Sequence, residues 1–177
     1  MFEMKSLDPL ARFEQLMLPQ MNAAYNLARW LMRNNDDAQD VVQEAYLRAF
    51  RFFFGFEGDD GRAWLLAIVR NTCRTALHKA GSQTKTDGFQ EEIHMVDAPT
   101  VETQLLRQDD IDSVRWCIDQ LPTEYREVIV LRELEQMSYN EIARAIAAPL
   151  GTIMSRLSRA RVRLQDCLTV RIPGVRV

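Results

Sequence analysis

Apolar residues recur at spacings of three and four along most of the chain, which is the period of an α-helix. One such series lies after the acidic pair Asp36–Asp37, and acidic residues favour the first turn of a helix. A second series extends from Leu10 to Met32 with a break at Pro19, and a third from Arg62 to Lys79. Alternating, strand-like patterns are hard to find. The pattern therefore predicts an all-α fold.

The segment 81–100 interrupts this periodicity. It is polar, acidic and aperiodic, which is typical of a flexible linker. Helical patterns then resume, with one helix ending before Leu121–Pro122 and another predicted from Glu124 to Leu134. The sequence thus predicts two small helical domains and a tether: a helical bundle over 1–80, a linker over 81–100 and a second helical domain over 101–177.

A helix-turn-helix pattern lies near the end of the second domain. Ser138 and Glu141 have the spacing of a capping box, which opens a helix. A break at Ala147–Ala148 follows, and then Pro149, which is favourable at the first position of a helix because it has no N–H that would go unpaired there. Two short helices separated by three or four residues form a helix-turn-helix.

The faces of the second helix follow from placing its residues at 100° intervals. The apolar positions cluster on one side and are expected to face the core: Ile153, Leu157, Ala160 and Leu164. The opposite face carries Ser155, Ser158 and Arg159, flanked by Met154 and Arg161 on one side and by Arg156 and Arg163 on the other. Short polar side chains among arginines suit a helix that enters the DNA major groove.

The distribution of charge supports a nucleic-acid surface, although the net charge does not. The chain of 177 residues has a net charge of only −3, which by itself argues against DNA binding. Residues 81–112 carry −6, however, whereas 113–177 carry +3. An acidic middle therefore masks a locally basic C-terminal part.

The remaining chemistry-bearing residues suggest neither a metal site nor an enzyme. Cys73, Cys117 and Cys167 are odd in number and far apart, so neither a disulfide framework nor a zinc site is expected. His78 and His94 do not form a ligand pair. No paired carboxylates, nucleophile–base set or phosphate loop stands out. We expect no cofactor and no catalysis.

The N-terminus lacks the basic start and apolar core of a signal peptide. The longest uninterrupted apolar run, Trp64 to Val69, is far shorter than the roughly 18 residues that a membrane span needs. The sequence therefore predicts a cytoplasmic protein without membrane insertion.

The densest motif in the chain resembles region 4 of the extracytoplasmic-function (ECF) sigma factors. It comprises Leu121 to Ala143 and continues from Pro149 to Arg161. The resemblance implies binding to the minus-thirty-five promoter element and to the β flap of RNA polymerase. The DNA contacts of the family fall on Arg132, Met154, Ser155, Ser158 and Arg159, and Arg156, Arg161 and Arg163 complete the predicted surface. Two positions depart from the family pattern: Met154 stands where many members have a basic residue, and Ala147 where glycine is common.

The helix from Asp37 to Phe50 is similar to region 2.2 of the same family, which docks on the clamp helices of the polymerase β′ subunit. Asp40, Gln43 and Leu47 share one outward stripe at helical spacing. Without the resemblance, this stripe would be an ordinary solvent-exposed face. With it, the stripe is the predicted polymerase contact.

The segment from Ala63 to Asn71 resembles regions 2.3 and 2.4, which open the minus-ten element and receive an unstacked base. Such a site needs aromatic rings and cations, and the aromatic cluster 52–56 precedes the segment. Trp64 fits either the core or a stacking role. Three positions depart from the family: Gly61 stands where an aromatic residue is common, and Thr75 and His78 replace the usual Asp and Arg. The predicted minus-ten residues are Arg62, Trp64, Arg70, Asn71, Arg74 and Lys79.

Together these resemblances imply a promoter-specificity subunit that binds core polymerase and promoter DNA and is controlled by an anti-sigma protein. Two alternatives stay open. A conventional helix-turn-helix regulator would bind a palindromic operator tightly by itself. A sigma-like decoy would sequester an anti-sigma protein without supporting transcription.

Overall fold

The computed structural model describes residues 8–58, 60–83 and 103–172, and these ranges contain helices and connecting turns but no strand. The all-α prediction is confirmed. Most of the predicted linker lies outside the described residues. Its first three positions, 81–83, continue the helix that precedes it. None of the helices in the described ranges is long and apolar enough to span a membrane.

Among the described residues, the N-terminal half contains four α-helices: α1 (Pro9–Met17), α2 (Met21–Met32), α3 (Asn35–Phe52) and α4 (Gly61–Gln83). The break predicted at Pro19 is a short 3₁₀ turn between α1 and α2. Asn34 caps α3, since its side chain accepts hydrogen bonds from the backbone N–H groups of Asp36 and Asp37. Helices α2, α3 and α4 pack against one another around an apolar core.

The described part of the C-terminal half, 103–172, also contains four α-helices: α5 (Thr103–Asp119), α6 (Thr123–Ile129), α7 (Tyr139–Ile146) and α8 (Leu150–Arg171). The single helix predicted from Glu124 to Leu134 is α6 followed by a π-helical turn over Val130–Leu134. Such turns are rare and often lie at functional sites. Here the turn leads the chain into the loop before α7.

The predicted helix-turn-helix is α7, its turn and α8. Ser138 and Glu141 form the reciprocal capping box at the start of α7. Ala147 ends α7 in the left-handed conformation with φ 55°, which explains why glycine would fit that position. Pro149 is the N-cap of α8 rather than its first helical residue, because its backbone is extended and its carbonyl accepts the first helical bonds.

The two halves pack against each other. Helix α4 contacts α7, and α2 contacts α6. One continuous cluster of buried apolar residues extends through both halves. The described residues thus form one packed body, in which the C-terminal half lies against α2 and α4.

A disulfide joins Cys117 of α5 to Cys167 of α8, with 5.8 Å between their Cα atoms. The expectation of no disulfide is therefore wrong for this pair. The two cysteines are 50 residues apart in the chain, and only the packing of α5 on α8 brings them together. Cys73 is free and buried, and burial raises the pKa of its thiol to about 12.

Candidate nucleic-acid interface

Helix α8 presents the faces that its periodicity predicts. Ile153, Leu157 and Ala160 are buried, and Leu164 packs partly buried against the core. On the opposite side Met154 is 52% exposed, and the other three positions of the predicted DNA face are exposed as well: Ser155, Ser158 and Arg159. A face of α8 that is polar apart from Met154 is therefore open to a ligand.

The arginines beside this face are tied to the rest of the C-terminal half. Arg161 donates to Glu133 at 2.7 Å, and this hydrogen bond raises the pKa of the arginine. Arg163 lies over the ring of Tyr125, 5.2 Å from its centroid. Arg156 is 3.9 Å from a carboxylate oxygen of the buried Glu127. Arg159 is exposed and forms no ion pair with any of the described residues. Its guanidinium is therefore open to a ligand.

Arg132 lies in the π-helical turn, close to the start of α7. Its Nη1 donates to the carbonyl oxygen of Met137 at 2.8 Å, and its guanidinium lies 5.0 Å from the centre of the Tyr139 ring. These two contacts fix a partly exposed arginine beside the N-terminus of the helix-turn-helix. This is a suitable position for a phosphate contact.

The predicted polymerase stripe is exposed along α3. Asp40, Gln43 and Leu47 face solvent, and Leu47 is 57% exposed. The other side of α3 is buried against α2 and α4. The stripe thus offers an exposed apolar side chain one turn beyond two polar ones on the same helix.

Trp64 and its aromatic neighbours divide between the core and the surface. Trp64 is partly buried, with its ring centroid 4.7 Å from that of Phe56 and 6.3 Å from that of Phe53. Phe52 and Phe54 are instead 67% and 75% exposed. These two exposed rings lie on the same segment and are available for base stacking.

Two of the predicted minus-ten arginines contact the C-terminal half. Arg70 is buried, and its Nε and Nη2 donate to the two carboxylate oxygens of Glu127 at 2.9 and 3.0 Å. Arg62 donates from Nη2 to a carboxylate oxygen of Glu135 at 2.8 Å and to the Glu135 carbonyl at 2.7 Å. The structure therefore separates these two arginines from the exposed members of the set.

The other three members, Asn71, Arg74 and Lys79, are exposed along α4. Arg74 and Lys79 line a shallow surface hollow together with Thr75 and His78. The side-chain oxygen of Asn71 accepts a 3.4 Å hydrogen bond from Arg70 Nη1. The exposed part of the predicted minus-ten surface is thus the middle and the second half of α4.

Sequence reasoning missed the buried charges of α6 and the turn that follows it. Arg126, Glu127 and Glu135 are all buried. Burial is the main cause that lowers the pKa of Arg126, to about 10. One signal in the sequence was that Arg126 and Glu127 stand directly before an apolar run. Charged side chains at such a position are expected to be buried only if they find partners. No cluster of three metal-ligating side chains occurs within the described ranges.

Two family models match the chain. One, described as Sigma-70 region 2, matches residues 20–83. The other, described as Sigma-70, region 4, matches residues 111–164. The first contains all the predicted polymerase and minus-ten residues. The second contains the disulfide-linked Cys117, α7, most of α8 and all the residues of the predicted minus-thirty-five surface.

Curated relatives are similar along most of the chain. An RNA polymerase sigma-H factor of Pseudomonas aeruginosa is 32% identical over 165 residues, covering 88% of this chain and 86% of the relative. An ECF RNA polymerase sigma-E factor of Haemophilus influenzae is 33% identical over 156 residues, covering 83% and 82%.

Solved structures of other proteins share the fold of this chain. The sigma factor RpoE of Bartonella quintana, in complex with the anti-sigma factor NepR, has a TM-score of 0.75 and 29% identity, covering 89% of this chain and 97% of that one. CnrH, in complex with the cytosolic domain of CnrY, has a TM-score of 0.66 at 24% identity over 94% and 92%, which shows a shared fold.

Proposed function

The chain belongs to the extracytoplasmic-function sigma factors of the sigma-70 family, and we propose that it directs RNA polymerase to promoters through two separate DNA surfaces. The observation that carries this proposal is the open polar face of α8 within a region-4 helix-turn-helix. Helix-turn-helix proteins place such a face in the major groove.

The minus-thirty-five element is read by α8 and by the residues beside it. Ser155 and Ser158 allow close approach, and Arg159 can donate two hydrogen bonds to a guanine edge. Arg132, which lies in the turn before α7, contacts a DNA phosphate. Arg156, Arg161 and Arg163 contribute positive charge at the rim, and Met154 offers an apolar contact in place of a cation.

The minus-ten element and the polymerase bind the N-terminal half. Asp40, Gln43 and Leu47 on α3 dock on the β′ clamp helices. The predicted minus-ten residues lie on the neighbouring helix α4, and the exposed rings of Phe52 and Phe54 extend this surface. Promoter DNA is bound by two weak sites that the polymerase presents together. Binding at one site raises the effective concentration of DNA at the other.

An anti-sigma protein controls the chain. The support is the solved relative RpoE, whose structure contains the anti-sigma factor NepR. The polymerase and the promoter place this activity in the cytoplasm. The chain supplies recognition to the polymerase, and we assign it no reaction of its own.

Transcription in vitro with core polymerase and a promoter library tests the proposal. We expect initiation from a distinct set of promoters that depends on the added chain. Core binding without initiation from any promoter would instead support the decoy function. Tight binding of the isolated chain to a palindromic site would support a conventional regulator.

Arg159→Ala and Gln43→Ala test the two surfaces separately. We expect Arg159→Ala to weaken minus-thirty-five-dependent initiation by about tenfold while core affinity is kept, since one base contact is worth about 1–3 kcal/mol. Gln43→Ala should weaken core association. Arg115→Ala on α5 and Gln15→Ala on α1 change exposed residues outside both surfaces and serve as controls. Loss of core binding in Arg159→Ala would contradict the assigned face.

A further inference from the structure

An acidic side chain lies among the arginines at the edge of the predicted DNA face of α8. Arg161 donates from Nε and Nη2 to one carboxylate oxygen of Glu133, at 3.2 and 2.7 Å. Glu133 belongs to the π-helical turn Val130–Leu134. The Arg161 and Glu133 side chains are 49% and 46% exposed. The ion pair therefore lies at the surface, beside the predicted DNA face.

Two neighbours define the position of this pair. Hydrogen bonds, first to Glu133 and then to Tyr139, raise the pKa of Arg161. The Tyr139 ring also lies under the guanidinium of Arg132, 5.0 Å from its centroid, and Arg132 directly precedes Glu133 in the chain. The Glu133 carboxylate thus stands in contact with one predicted DNA cation and one residue along the chain from another.

The other arginines on α8 in the predicted minus-thirty-five surface have no exposed acid as an ion-pair partner among the described residues. Glu127, which lies 3.9 Å from Arg156, is buried. Arg163 packs over an aromatic ring, and Arg159 is exposed without an ion pair. Glu133 is therefore an acid that DNA phosphates would meet when they approach this edge of α8.

Charge balance at this edge affects sequence-independent DNA binding. A protein binds any duplex by neutralising phosphates and releasing their counterions, and each neutralised phosphate adds about 0.9 to the slope of log affinity against log salt. A guanidinium that is paired with a carboxylate attracts a phosphate less strongly, because the carboxylate repels the same phosphate.

We propose that Glu133 restrains sequence-independent DNA binding by balancing the charge of Arg161 at the edge of α8. Arg161 then adds to the positive charge of this surface only as far as Glu133 leaves it unbalanced. Minus-thirty-five affinity depends correspondingly more on the base contacts of Arg159 and on presentation by the polymerase. This inference rests on the proposed role of α8 in minus-thirty-five binding.

The restraint has a consequence for promoter choice. Phosphate contacts position a protein on DNA but carry no sequence information, and non-promoter sites far outnumber promoters. A chain with surplus phosphate contacts is retained on such sites and is less available to the polymerase. The pair has little other value, since an exposed ion pair contributes little to stability.

Glu133→Gln in the full-length chain tests the restraint, because it removes the charge and keeps the size of the side chain. Glu124→Gln on α6 is the matched control, since it changes the net charge equally at an exposed position outside the DNA and polymerase surfaces. Binding to a duplex of unrelated sequence is measured by fluorescence anisotropy over a range of salt concentrations.

At roughly 0.1 M salt, Glu133→Gln should bind this duplex about fivefold more tightly than the wild type, with a salt slope steeper by about 0.9. Glu124→Gln should keep the wild-type slope, and so should Glu133→Asp, which retains the charge. The double variant Glu133→Gln/Arg161→Ala should return to the wild-type slope, because the edge is again balanced. An unchanged slope in Glu133→Gln, or a steeper slope that persists in the double variant, would overturn the proposal.

Transcription with core polymerase extends the test to promoter choice and separates it from the proposed function. Glu133→Gln should narrow the difference in initiation between a promoter and the same promoter with its minus-thirty-five element replaced. The added phosphate contact helps the weakly bound template more than one that is already near saturation. An unchanged difference would contradict the role in promoter choice. Failure of the wild type to initiate from any promoter would overturn the proposed function, whereas the salt slopes would still decide whether Glu133 restrains DNA binding.

Discussion

Arg126 shows how one buried charge organises the C-terminal half. Its guanidinium donates to the carbonyl oxygens of Leu121 at 2.6 Å and Asp119 at 2.9 Å, and to those of Ile118 and Trp30 at 3.3 Å each. These carbonyls belong to the end of α5, to the turn before α6 and to α2. One side chain thus satisfies backbone acceptors from three segments, including one in the other half.

Arg126→Ala should lower the free energy of unfolding by about 3 kcal/mol or more, because several buried carbonyls lose their donor and a large side chain is removed from the core. Arg126→Lys should recover only part of this loss, since an ammonium cannot reproduce the guanidinium fork. Denaturant unfolding followed by circular dichroism measures both. The exposed Arg115→Ala is the control, and equal effects of Arg115→Ala and Arg126→Ala would contradict the assigned role.

At the scale of elements, helix α8 depends on neighbours that are distant in sequence. Helix α8 packs on α5, α6 and α7, and the Cys117–Cys167 disulfide links its C-terminal part to α5. Arg171 lies over the ring of Trp116, 4.0 Å from the centroid, beside the same link. These contacts hold the C-terminal end of α8, and with it the orientation of the predicted DNA face.

Reduction of the disulfide should destabilise the protein. Closing a chain segment of about 50 residues is worth about 4 kcal/mol in the chain-entropy model. We expect denaturant unfolding of the wild type to shift to lower denaturant concentration when a dithiol reductant is added. The variant Cys117→Ser/Cys167→Ser should not respond to the reductant. An unshifted midpoint in wild-type protein whose thiol count confirms reduction would count against this role.

At the scale of the whole molecule, the described residues of the two halves form one packed body. The buried apolar cluster is continuous through both halves, and the buried Arg70–Glu127 pair links α4 to α6. An interface of this kind couples the unfolding of one half to that of the other. Separation of the two halves would therefore disrupt apolar contacts as well as an ion pair.

Calorimetry should show a single thermal transition for the free wild-type chain, with equal calorimetric and van't Hoff enthalpies. A Glu135→Ala/Arg144→Ala variant loses the ion pairs of these two residues with Arg62 and Asp60 of the N-terminal half. It should broaden or split this transition, since the weakened interface allows each half to unfold separately. Two resolved transitions in the wild type would show that the halves are energetically independent and would contradict the coupling.

Local patterns in the sequence predicted much of this molecule. Helical periodicity gave the all-α class and the inward and outward faces of α3 and α8, because the period of a helix fixes which residues share a side. The Ser138–Glu141 capping box and the break at Pro19 were also predictable from the sequence, because each depends only on residues within one or two helical turns. The motifs of regions 2 and 4 identified the family.

Only the tertiary structure decided which distant residues meet. Cys117 and Cys167 form a bond that their spacing did not suggest, and the predicted DNA contacts Arg62 and Arg70 pair with Glu135 and Glu127. A charged residue on a helix has the same sequence pattern whether it faces solvent, DNA or another domain. The choice depends on the packing of α4 against α7 and of α5 against α8, because burial and pairing are set by elements that lie far apart in the chain.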